Sequence, residues 1–202
     1  MPKRKKLKKK VFNLKEEYKE SLNYIKNSKK FINFGIGLFV FFVFFGFFIP
    51  APKIIENEIM NFLRELLEQT KNMSSLELIK FIIFNNIKST FSGIVLGMFF
   101  CVFPLLSIIV NGYLLGFVSF LSVNQENLFS LWKILPHGIF ELPAIFLSLG
   151  LGLKLGTFIF QKKKLKCFLE YSINSLKVFL LIVIPLLILA GIIEGTLMVL
   201  LR

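Results

Sequence analysis

Hydrophobic positions along this chain fall into long runs separated by short polar or charged stretches. Phe31 to Ile49 is the first run, 19 residues without a charge. That is enough to cross a hydrocarbon core of about 30 Å when little tilted. Runs at 78–103, 105–122, 134–160 and 178–201 predict four further spans. Two other segments are amphipathic. In 54–69, Ile55, Ile59, Phe62, Leu63 and Leu66 recur at helical spacing, with Glu56, Glu58, Arg64, Glu65 and Glu68 on other faces. This predicts a helix outside the bilayer core, lying on the membrane or the bundle, with a partner-binding helix as the alternative. Between Val11 and Ile25, Leu14, Tyr18, Leu22 and Ile25 predict a surface helix.

The punctuation agrees. Pro50 and Pro52 stop the first span, Ser74-Ser75-Leu76-Glu77 has capping-box spacing for the second, and Pro104 marks a break or very tight turn before the third. The predicted fold class is all-α: a polytopic membrane helix bundle of about five transmembrane helices plus short amphipathic helices. Residues 1–30 form a basic N-terminal segment whose first ten residues are expected to be mobile, and 31–202 form the membrane domain.

Composition supports this reading. The chain has 202 residues, is 55% hydrophobic and holds 26 Phe, concentrated in or near the runs. The formal charge of +13 would suggest nucleic acid on a soluble protein. Here twelve of the 25 basic residues precede Phe31, beside the first span. Positive-inside bias and anionic lipid explain them, so lipid rather than nucleic acid is the expected partner. The 161–177 segment, expected as a basic loop or surface helix, has five Lys, whereas 50–80 has four Lys and Arg against five Glu, and 123–133 has only Lys133. The expected topology therefore has a cytoplasmic N-terminus, an external C-terminus and a retained first span rather than a cleaved signal, in a multi-pass cell-membrane protein. Cys101 and Cys167 suggest neither a disulfide framework nor a metal site.

The four later spans carry small residues four apart: Gly93 and Gly97, Gly112 and Gly116, Gly152 and Gly156 after Ser148, and Gly191 and Gly195. These let helix backbones approach, which predicts a tightly packed bundle. The first span lacks a central small stripe and is expected at the periphery.

The chemistry-bearing residues are few. His137 is the sole histidine, and Glu141 follows one helical turn later. Asn85, Asn86, Lys88, Asn111 and Glu194 lie in other spans. At a rise of ~1.5 Å per residue, Glu141 and Glu194 lie about 10 Å inside the outer ends of their spans, Asn85, Asn86 and Lys88 about 9–14 Å, and Asn111 about 16 Å. Ionisable groups in hydrocarbon are costly, so these residues are expected to form one polar cluster. It would serve either as a functional pocket or as a network fixing helix register. Lys154, near an end of its span, is expected to snorkel.

An enzyme is not expected. One His with one HxxxE falls short of the usual three protein ligands of zinc, although Glu141 and Glu194 would complete a His/Glu/Glu set in an intramembrane metal-dependent hydrolase. No nucleophile elbow or phosphate loop is present, and no cofactor is expected.

The run Asn86, Gly93, Gly97, Asn111-Gly112, Gly116, then Pro136-His137-Gly138 with Glu141-Leu142, resembles the stage II sporulation protein M family of integral membrane proteins. The similarity covers about 75–160, and the five-span layout extends it. The resemblance implies a membrane scaffold rather than a catalyst: family members in spore formers act in the septal membrane during engulfment, with two cell-wall hydrolases. It carries over no catalytic residues. Two readings follow, a noncatalytic scaffold or complex subunit whose partners are other membrane or envelope proteins, and a transporter or channel-like protein using the buried polar level.

Overall fold

A computed structural model describes residues 13–49, 51–125 and 135–200, with side chains described for 13–49, 51–124 and 141–197. The expected mobility of the first ten residues, most of the 123–133 loop and the side chain of His137 lie outside the described residues. Within them the fold is all-helical, with α1 (Leu14–Asn27), α2 (Lys29–Phe48), α3 (Lys53–Lys71), α4 (Ser75–Val95), α5 (Val102–Gln125), α6 (Leu135–Gly156), α7 (Lys164–Val178) and α8 (Ile184–Leu200). Among the described residues, five helices are long and apolar enough to cross a membrane: α2, α4 with its 3-10 end, α5, α6 with its 3-10 end, and α7–α8 as one rod.

Local chemistry sets several helix starts. Asn13 caps α1 by accepting from the Lys15 amide at 3.1 Å. Ser74 opens α4: its amide and hydroxyl both reach the Glu77 carboxylate, at 2.9 and 2.7 Å.

α6 is the axis of the bundle. Of its span 56% is buried, against 22–33% of the others. Around it stand α8, α4, α5 and α2, in that order, with contacts set by glycine. A Cβ on Gly97 would meet the backbone of Gly152, and one on Gly152 would meet the Gly93 carbonyl and Pro104 Cγ. Gly191 and Gly195 of α8 sit against Ile83 and Ile79 of α4. Gly112 and Gly116 of α5 sit against Phe39 and Val43 of α2. Such seams replace the hydrophobic drive, which is missing between helices in lipid, by close backbone packing.

The structure departs from the sequence reading at four places. α2 is not peripheral: its Gly46 lies on the backbone of Tyr113 and Phe117, and Gly112 and Gly116 of α5 add a small surface for the central part of α2. The turn between α4 and α5 falls at Phe99–Cys101, with Phe100 and Cys101 at φ 54° and 63°, while Pro104 sits in the first turn of α5, where its missing N–H costs nothing. Those two left-handed residues are strained, and the Cys101 thiol is held by the Leu153 carbonyl at 3.2 Å. Third, 164–200 is one continuous rod. A five-residue π segment, Phe179–Val183, precedes Pro185 and relieves the clash its ring would make with an earlier carbonyl. Fourth, α1 buries Ser21 and Tyr24, packs Ile25 against the core and leaves Leu14, Tyr18 and Leu22 exposed, so it docks on α7 by one edge of its apolar stripe and the polar face beside it.

α3 is different in kind: a 19-residue amphipathic helix with no buried residue, leaving Ile54, Ile55, Phe62 and Leu67 exposed.

Candidate functional site

The polar residues of the spans divide between two surfaces. The first is the shared face of α4, α6 and α8. On α4, Ile79 and Ile83 meet α8 and Gly93 meets Leu149 of α6. Asn86 falls on that same stripe and is half-buried. On α8, Glu194 continues the buried stripe of Leu187 and Ala190 and is only 6% exposed. On α6, Glu141 is half-buried, one turn before Ala144, which packs with Leu187. α4 and α6 run parallel through the pairs Gly93–Leu149 and Gly97–Gly152. Carried back along both helices, this register brings Glu141 level with Asn86. The α8 pairings bring Glu194 level with the helical turn that holds His137, whose side chain is outside the described residues. Pro143 lies inside α6 and removes the amide that would bond the Ile139 carbonyl, freeing an acceptor on this stretch. Ser148, further along α6, is fully buried.

The second surface faces outward. Asn85 and Lys88 are exposed on α4. Asn111 is exposed on α5, where its amide donates to the Ser107 carbonyl at 2.8 Å and to Ser107 Oγ at 3.3 Å. These three do not join Asn86, Glu141 and Glu194 on the inner face.

A third constellation is one the sequence did not point to. Lys154 does not snorkel; it is 8% exposed, and its ammonium sits 3.8 Å from the ring centre of Tyr24 and 5.3 Å from that of Tyr171. Lys154 Nζ donates to Ser28 Oγ at 3.0 Å, and Ser28 Oγ donates to the Tyr24 carbonyl at 2.7 Å. The Tyr24 hydroxyl reaches the Tyr171 carbonyl at 3.5 Å. Burial pushes the Tyr24 phenol above its ordinary range, so the ring stays neutral and its face remains available to the cation. Outside the cage, Lys177 pairs with Glu17 and, at 3.2 Å, with Glu20, tying α7 to α1. The contact between Lys154 and Ser28 joins residues 126 positions apart, and no local pattern marks such a contact.

Among the described residues, no group of three or more His, Cys, Asp and Glu side chains could hold a metal ion. What the described residues show is a set of helix-to-helix polar contacts around a glycine-packed axis. The stage II sporulation protein M family matches this chain over residues 35–197. The chain belongs to that family. The family match takes in four spans and most of the first and stops short of α1, so Tyr24 and Ser28 lie outside it while Lys154 and Tyr171 lie within. An uncharacterised protein of Methanocaldococcus jannaschii is 36% identical over 138 residues, which is 65% of this chain and 61% of that protein. The match thus spans about three-fifths of the length of that relative. No solved structure matches the chain.

Proposed function

We propose that this membrane protein is a noncatalytic scaffold, a subunit that holds other membrane or envelope proteins in place. The observation that carries the reading is α3. It is tethered between two spans, has no fully buried residue, and leaves Ile54, Ile55, Phe62 and Leu67 exposed, with Ile59, Leu63 and Leu66 half-buried beside them. A helix so placed serves as a contact surface at the membrane boundary. The basic residues before α2 put the N-terminus on the cytoplasmic side and bind anionic lipid, and α3 lies on the opposite face of the membrane. The family's part in envelope remodelling in spore formers agrees with a scaffold.

The test is chemical cross-linking in native membranes followed by purification of this chain. A defined co-purifying protein, lost when Ile55, Phe62 and Leu66 are changed together to Ser, is the expected result. Recovery of the wild-type chain without a defined partner would count against the reading.

A second reading is favoured by one observation, the carboxylates Glu141 and Glu194 on the shared α4–α6–α8 face. On that reading the chain passes a solute or proton. Flux in liposomes that disappears in Glu141→Gln would select it; no flux in the wild type would remove it.

A further inference from the structure

On α4, Asn85, Lys88, Ser89 and Ser92 recur at intervals of three and four, forming a continuous polar flank. The first three are exposed and Ser92 is half-buried. The neighbouring faces of α4 are occupied, by α8 through Ile79 and Ile83 and by α6 through Gly93. On α5, Gly112 and Gly116 carry α2, while Ile108 and Pro104 pack toward α6. Ser107 and Asn111 lie on the edge of α5 turned away from α2. α4 and α5 are neighbours around α6 with little direct contact between them, so these two polar edges flank the shallow groove between the two helices on the side of the bundle.

Lys88 lies about 14–15 Å along the helix from either end of its apolar run, near the middle of a core about 30 Å thick. Its stem is too short to carry the ammonium to either surface by snorkelling. A lysine at that depth ordinarily faces the interior of an assembly and meets an opposite charge. The span carboxylates of this chain, Glu141 and Glu194, belong to the α4–α6–α8 face rather than to the groove. A second copy of the chain docked groove to groove would bring Lys88 to Lys88, like charge against like charge at one depth.

We propose that the α4–α5 groove is the docking site for a transmembrane helix of another protein that carries an Asp or Glu at mid-span. The carboxylate pairs with Lys88, and the Asn85 amide and the Ser89 hydroxyl donate to its remaining lone pairs. The inference rests on the scaffold reading and deepens it by naming the chemistry of the partner.

The full-length chain is reconstituted in phosphatidylcholine vesicles with a dye-labelled single-span leucine helix bearing one central Glu, and association is read by energy transfer. The Glu helix is expected to bind about tenfold more tightly than the same helix with Leu or Gln at that position. That preference should vanish in Lys88→Leu and persist in Lys88→Arg. Equal binding of the three helices to the unchanged chain would overturn the proposal, whatever the folding of the variants. So would an undiminished preference in Lys88→Leu, or Lys88-dependent association of the chain with itself. Labelling of Lys88→Cys by a membrane-impermeant thiol reagent would also overturn it, by showing a hydrated groove. In native membranes, a partner cross-linked equally to the wild type and to Lys88→Leu would defeat this inference while leaving the scaffold reading intact. No partner with either chain would defeat both.

Discussion

Lys154 and Lys88 both sit on membrane-spanning helices, and the fold treats them in opposite ways. Lys154 is enclosed by Tyr24, Tyr171 and Ser28, contributed by α1, α7 and the junction before α2. Lys88 is exposed on the flank of α4. The difference follows from what stands opposite each residue. α6 is the central helix and residues 148–156 are buried on every face, so a cation there must be solvated by protein. α4 belongs to the surrounding ring, so its outer flank meets whatever surrounds the bundle. A buried cation with neutral partners marks structure; an exposed cation deep in a span marks a surface still to be covered.

Five experiments would break or sharpen that contrast. Gly152→Leu should have the largest effect, because the new side chain would meet the Gly93 carbonyl and Pro104, parting α6 from its neighbours. We expect a loss of about 3 kcal/mol or more, seen as loss of monodisperse protein in detergent. Tyr24→Ala should follow at about 3 kcal/mol, combining the lost aromatic burial with the lost cation–π contact, while Tyr24→Phe keeps the ring and should cost under about 1 kcal/mol. Thermal unfolding in detergent measures both. Ser28→Ala removes the hydroxyl that accepts from Lys154 and should cost about 1.5–2 kcal/mol by the same measurement. Lys177→Ala, at the half-exposed pair with Glu17 and Glu20, should cost less than about 1 kcal/mol, and the difference should shrink in about 0.5 M salt. Lys88→Leu should change the stability of the isolated chain by no more than about 0.5 kcal/mol. A large destabilisation there would mean that Lys88 is held within the bundle after all, and the contrast with Lys154 would fail.

The candidate site was legible only in part, and the reason is geometric. Depth along a helix can be read from sequence, because rise per residue is fixed. This grouped Lys88, Asn85, Asn86, Asn111, Glu141 and Glu194 at one level. Azimuth cannot be read that way when every face of a helix is apolar. α4 carries Asn85 and Asn86 side by side, yet one turns outward and the other toward α6 and α8. α1 shows the same limit: its apolar stripe invited contact, but the bundle took only one edge of it, at Ile25, together with the face of Ser21 and Tyr24.

What the sequence by itself determined is whatever depends on one segment at a time. The five apolar runs, the capping box at Ser74, the amphipathic α3 and the family motif around Pro136-His137-Gly138 all belong to that class. The tertiary structure alone decided which helix became the axis, how α2 seats on the α5 glycines, and that Lys154 is caged. In lipid, hydrophobicity gives no preference for one helix neighbour over another. The choice falls to backbone approach at glycine and to polar contacts between distant residues, and neither exists until the helices have met.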